Sequence, residues 1–134
     1  MNTLSGLDAT FLYLETPETP MHVGSLHLYE LPEGFKGSFH KAVLQHLAKR
    51  VHLAPIFARK LAFMPLNMGH PGWVEADEVD LAFHVRKVPG HQLTVRQVEA
   101  KAAELHGQLM DRSHPLWEFH VLDSVKGPEG NRLV

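Results

Sequence analysis

The densest group of reactive side chains in this sequence is Asp111-Arg112-Ser113-His114, followed across Pro115-Leu116 by Trp117-Glu118, His120 and Asp123. A carboxylate, a hydroxyl and an imidazole so close in sequence could serve acid/base or nucleophilic catalysis. The base must then lie within hydrogen-bond reach of the proton it removes. The spacing argues against that use. His120 and Asp123 stand three apart in a strand pattern, which sends their side chains to opposite faces. Ser5, Ser25, Ser38, Ser113 and Ser124 all lack the Gly-x-Ser-x-Gly elbow that exposes a nucleophile. Eleven histidines invite a metal reading, yet there is no His-Glu-x-x-His, no histidine pair four apart on one helix and no cysteine. His84, His106 and His120 therefore read as surface or hydrogen-bonded histidines.

A structural role suits the cluster better. Pro115 has no backbone donor and pushes His114 out of the α region, so a helix arriving from the left must stop before it. At such an end Arg112 can meet free carbonyls or nearby acids, and Asp111 or Ser113 can bond turn donors. Trp117 reads as a core anchor whose indole N–H needs one partner. Asp111, Arg112, Ser113, Pro115, Leu116 and Trp117 thus form a structural motif, and no catalytic residue is visible from spacing.

The surrounding elements follow from periodicity and caps. Ser5, with Asp8 three residues on, predicts a short helix that the two prolines at 17 and 20 terminate. Residues 21–30 read as a strand, with a bulge at Gly24. Ser38 caps a helix carrying Phe39, Val43, Leu47 and Val51 on one face. Residues 56–68 mix apolar residues with Arg59 and Lys60, and a loop packed over the core is favoured over a membrane-surface segment. Residues 73–75 form a short strand. Val79, Leu81, Phe83 and Val85 alternate with Asp80, Ala82, His84 and Arg86, which predicts a half-buried strand over 79–86. Thr94-Val95-Arg96-Gln97 is a capping box opening a helix through Val98, Ala102, Leu105 and Leu109. Trp117, Phe119 and Val121 then alternate as a strand, and residues 131–134 open another. Strand, helix, strand over 79–125 gives an α/β layer with a helical crossover.

Composition sets outer bounds. The 134 residues are 44% hydrophobic and 21% charged with a net charge of -2, ordinary for a globular chain and without the basic footprint of nucleic-acid binding. The absence of cysteine excludes disulfides and thiolate metal sites and fits a cytoplasmic location. No apolar run approaches the roughly 18 residues of a membrane span, so any membrane contact is peripheral.

Four blocks carry a resemblance to a known family. They are Leu4-Ser5-Gly6-Leu7-Asp8-Ala9-Thr10-Phe11-Leu12, then Thr19-Pro20-Met21-His22-Val23-Gly24, then Val79-Asp80-Leu81 with His84-Val85-Arg86, and finally Asp111-Arg112-Ser113 with Pro115-Leu116-Trp117-Glu118. In order and spacing the chain resembles the N-terminal portion of the bacterial wax ester synthase/acyl-CoA:diacylglycerol acyltransferases. The resemblance implies transfer of a long-chain acyl group from acyl-CoA to diacylglycerol or a fatty alcohol, with acyl-CoA as co-substrate and no resident cofactor. It implies an α/β (α+β) chloramphenicol acetyltransferase-like sandwich, of which residues 1–134 form a single N-terminal segment, an incomplete domain lacking the His-His-x-x-x-Asp-Gly signature. The missing C-terminal half is then a partner, a membrane or lipid-droplet surface is a peripheral one, and the chain alone is expected to be inactive. Gly24 and Ser25 become candidates for lining the acyl tunnel. Two alternatives remain: a non-catalytic lipid- or membrane-surface-binding module, or one half of a split acyltransferase.

Overall fold

The computed structural model describes residues 2–134. In chain order the elements are β1 (Asn2–Thr3), α1 (Gly6–Leu14), α2 (Phe39–Ala48), β2 (Arg59–Ala62), β3 (Gly72–Glu75), α3 (Leu81–His84), β4 (Val85–Lys87), α4 (Val95–His106), β5 (Phe119–Val121), β6 (Val125–Lys126) and β7 (Arg132–Leu133). Single 3-10 turns occupy Val51–Leu53, Pro55–Ala58 and Pro65–Asn67. The chain forms two compact units, each assembled from three separate stretches. The first comprises Met1–Val23, Arg50–Val79 and His106–Trp117, and the second Gly24–Lys49, Asp80–Leu105 and Glu118–Val134.

The first unit pairs β1, β3 and β2 antiparallel, with Asn2 opposite Trp73 and Leu61 opposite Trp73 from the other side. Helix α1 begins where Ser5 accepts the backbone N–H of Asp8, which satisfies one of the donors a helix start leaves free. Its buried face and the sheet meet in a core of Leu4, Ala9 and Leu61, with Leu12, Trp73 and Leu116 packed around it.

In the second unit β4 and β5 run parallel, with Val85 opposite Phe119, and α4 supplies the crossover that a parallel pair requires. Strands β6 and β7 pair antiparallel. Val85, Val88, Val98, Val121, Val125 and Val134 are its buried apolar residues. The capping box is formed as its spacing predicts: the Gln97 N–H donates to Thr94 Oγ1, and the Thr94 N–H donates to Gln97 Oε1. Ser38 likewise caps α2 by accepting the Lys41 N–H.

Several sequence expectations fail for identifiable reasons. Residues 21–29 form no strand, because the alternation there finds no ladder; backbone pairing begins only at Tyr29, which exchanges both hydrogen bonds with Val134. The alternation at 79–86 is interrupted by a turn of helix. Asp80 Oδ1 accepts the N–H groups of Ala82 and Phe83, and this local cap wins over the extended pattern, leaving only Val85–Lys87 as strand. As a result His84 is not a surface histidine: it is fully buried, edge-on to the Phe83 ring. Helix α4 stops at His106, before Gly107 and short of Leu109, which is 42% exposed. Phe119 also departs from the expected inward face of its strand and is 42% exposed, whereas Val121 is buried.

Candidate functional site

Among the described residues, two polar centres and one apolar pocket stand out as features that could serve function. Each polar centre lies within one unit. In the first unit Arg112 Nη2 donates to Glu15 Oε1 at 2.9 Å and to the Leu12 carbonyl at 2.8 Å. Glu15 Oε2 accepts the Met21 N–H at 3.1 Å and stands 4.0 Å from His22 Nδ1. Burial pushes the Glu15 carboxyl up, but Arg112 and the Met21 N–H outweigh it and hold the group below its usual range. Next to the clamp, Asp111 Oδ1 accepts both the N–H and the hydroxyl of Ser113, an Asx turn that shapes the approach to Pro115. The Trp117 indole donates to the Phe57 carbonyl at 2.8 Å, and its ring meets Phe57 edge-on at 5.2 Å. Arg112 does serve a helix C-terminus, as its position suggests, but the helix is α1 and not the one that precedes it in sequence.

In the second unit the centre is Asp123. Its carboxylate accepts Ser38 Oγ at 2.7 Å, the His40 N–H at 2.8 Å and Lys87 Nζ at 2.8 Å. Arg132 Nε and Nη2 both donate to its carbonyl. Burial raises the Asp123 pKa, and the Lys87, Ser38 and His40 hydrogen bonds bring it down to about 2. A carboxylate so weakly basic, with its oxygens already committed, cannot take a proton at neutral pH. Asp123 and Glu15 are structural anions.

The cavity lies in the first unit. It encloses about 280 Å³ and is lined by Leu4, Asp8, Phe11, Leu12, Met21, Val23, Trp73 and Leu116. Its volume falls just below the roughly 300–1,000 Å³ of ligand pockets. Asp8 is the one ionisable group in the wall, and its Oδ2 accepts the Ser5 hydroxyl at 2.7 Å. The pocket is open to solvent and its wall is mostly apolar, which suits a hydrocarbon chain. No group of three or more His, Asp or Glu able to hold a metal ion exists among the described residues.

The predicted site residues fall in different surroundings. Leu116 lines the cavity, Pro115 is buried beside it in sequence, and Asp111, Arg112, Ser113 and Trp117 build the joint that carries both. Gly24 and Ser25 lie in an exposed segment of the second unit, where Ser25 Oγ meets His27 Nε2 at 3.1 Å. His120 is paired with Glu118, at 3.0 Å. Sequence reasoning missed Glu15 and the role of Asp123. Neither has a local signature, since their partners Arg112 and Ser38 are 97 and 85 residues away.

The molecule is thus a mixed α/β protein whose first unit offers an apolar pocket and whose Glu15 and Asp123 carboxylates are held in structural pairs. The chain belongs to the wax ester synthase/diacylglycerol acyltransferase catalytic-domain family, whose profile matches residues 4–132. Two relatives from Mycobacterium tuberculosis, named as candidate diacylglycerol O-acyltransferases, are 34% and 40% identical. Each alignment covers 92% of this chain and 28% and 25% of the respective relative. The solved wax ester synthase/diacylglycerol acyltransferase from Marinobacter aquaeolei VT8 matches with a TM-score of 0.80 and 31% identity, over 99% of this chain and 31% of its own. The chain therefore spans between a quarter and a third of the length of these relatives and shares the chloramphenicol acetyltransferase-like fold of the N-terminal part of the Marinobacter enzyme.

Proposed function

We propose that this chain is the N-terminal segment of an O-acyltransferase that moves a long-chain acyl group from acyl-CoA to the hydroxyl of diacylglycerol or a fatty alcohol. The observation that carries the reading is the family match over residues 4–132, and the hydrocarbon lining of the cavity supports it. The acceptor hydroxyl needs a base near neutral pKa; Glu15 and Asp123 are not suited to it, and because no histidine of residues 1–134 stands in a His-His-x-x-x-Asp-Gly signature, we place the general base outside them. The contribution of this segment is then to hold an acyl or alcohol chain. Because both acceptors partition into lipid, the substrates reach the protein from a membrane or lipid-inclusion surface.

The test has two arms. Purified chain incubated with labelled palmitoyl-CoA and diolein or hexadecanol should give no ester above blank, and co-expression with the C-terminal remainder of the Marinobacter enzyme should restore ester formation. Ester made by the chain alone overturns the placement of the base. A remainder that associates with the chain yet gives no ester overturns the transferase reading. Binding of cis-parinaric acid, weakened at least tenfold by Met21→Trp in the cavity wall, should report the chain-holding role independently.

A further inference from the structure

In the first unit His22 carries a buried ring atom, Nδ1, that has no hydrogen-bond partner among the described residues. A buried polar atom left unpaired costs free energy and asks for an explanation. Glu15 Oε2 stands 4.0 Å away, beyond hydrogen-bond range. That oxygen instead accepts the Met21 N–H at 3.1 Å, and the other, Oε1, is taken by Arg112. From the C-terminal end of α4 the His106 ring packs on the His22 ring, centroid to centroid 4.8 Å. Glu15 and His106 thus face His22 directly, and Arg112 faces it across Glu15.

The chain neighbours of His22, Met21 and Val23, both line the apolar pocket, and so does Leu12, whose carbonyl Arg112 holds. One carboxylate therefore fixes two residues of the pocket wall, Met21 directly and Leu12 through Arg112. An imidazole is the side chain whose charge changes between pH 5 and 8, and in the charged ring both nitrogens are donors. Glu15, pushed up by burial and brought below its usual range by Arg112 and the Met21 N–H, keeps its charge over that interval. A proton gained by His22 turns Nδ1 into a charged donor facing a carboxylate that it does not yet touch. Closing that gap competes with the Met21 N–H for Oε2 and carries residues 21–23 along. The His22 ring is not part of the pocket wall, so a pull on it towards Glu15 takes Met21 and Val23 away from the lumen.

We propose that His22 is a proton-sensitive latch on the pocket wall: neutral, it leaves Glu15 to hold Met21 in place against a hydrocarbon chain, and protonated, it takes Glu15 Oε2, withdraws Met21 and Val23 and loosens the grip on that chain. The assignment rests on the reading that the pocket holds an acyl or alcohol chain, and it adds control by pH.

The probe is cis-parinaryl alcohol, which has no titratable group. Its binding to the chain should weaken at least fivefold from pH 8 to pH 5, a range in which Glu15 and Asp123 keep their charge. His22→Gln, which cannot take up a proton, should bind with less than a twofold change. His106→Phe keeps an aromatic ring against His22 and should retain the full dependence. A second readout needs neither ligand nor variant: the Met21 amide resonance in a proton–nitrogen correlation spectrum should titrate over the same interval as its hydrogen bond to Glu15 is given up. A pH dependence that survives in His22→Gln, or that His106→Phe abolishes, overturns the assignment to His22. A Met21 amide that does not titrate overturns the latch whatever the binding shows. Failure to bind the alcohol at any pH, with a Met21 amide that does titrate, overturns the chain-holding reading and leaves the latch standing.

Discussion

Arg112 Nη2 reaches Glu15 Oε1 at 2.9 Å and the Leu12 carbonyl at 2.8 Å, so one guanidinium closes the C-terminal turn of α1 from the far end of the first unit. Removing it leaves a carboxylate whose side chain is 9% exposed facing an unsatisfied helix end. Arg112→Ala should destabilise the chain by about 2 kcal/mol, below the cost for a fully buried pair because Arg112 is itself partly exposed. Arg112→Lys should recover only part of the loss, since an ammonium cannot reproduce the fork geometry. Chemical denaturation of the three proteins measures both.

Asp123 gives the acid limb of the stability profile. Its pKa is lowered from 3.8 to about 2 by folding, so the folded state binds its proton less tightly than the unfolded state does. The stabilisation is complete above the unfolded value and is lost as pH falls from about 4 towards 2. At 1.36 kcal/mol per unit this corresponds to about 2 kcal/mol. Glu15, also lowered, adds in the same direction. Asp123→Asn should be less stable at pH 7 and show a flatter decline below pH 4 when thermal midpoints are followed against pH.

Ser38 has two duties, accepting the Lys41 N–H at the start of α2 and donating to Asp123 Oδ2. Ser38→Ala should cost about 2 kcal/mol, the sum of a lost cap and a lost bond to a buried charge. Thr94→Ala, at an exposed capping box, should cost about 1 kcal/mol. Equal losses in urea titrations of the two variants would contradict the dual role.

Trp117→Phe keeps an aromatic ring against Phe57 and deletes the indole donor to the Phe57 carbonyl. The expected loss is about 1 kcal/mol, against about 3 kcal/mol for Trp117→Ala, which also empties the ring's volume. If Trp117→Phe were as damaging as Trp117→Ala, the hydrogen bond rather than the ring would anchor this joint.

The parts of the fold legible in the sequence are those whose cause is local. Ser5, Ser38 and the Thr94–Gln97 box announce three helices because a cap acts within four residues, and all three form. The parallel pairing of β4 with β5 follows from strand, helix, strand order. Alternation proved less dependable, because its outcome depends on what lies opposite. Residues 21–28 alternate without joining a ladder, and residues 79–84 alternate and yield to the Asp80 cap. The apolar stretch expected to fold over the core as a loop instead forms β2 over Arg59–Ala62, burying Leu61 fully and Phe57, Ala58, Ala62 and Met64 in part. Within the candidate site, the Pro115-Leu116-Trp117 joint was visible from its proline, whereas the cavity was not, since its wall joins α1, residues 21 and 23, β3 and Leu116.

The interleaving of the two units governs how the molecule is made. The first unit needs residues 106–117 and the second needs residues 118–134, so neither can close until its last stretch has left the ribosome. Until then Leu4 and Ala9 can meet Leu61 and Trp73 but have no Leu116 beside them. Closure of each unit therefore joins residues far apart in sequence, which makes folding slow in contact-order terms.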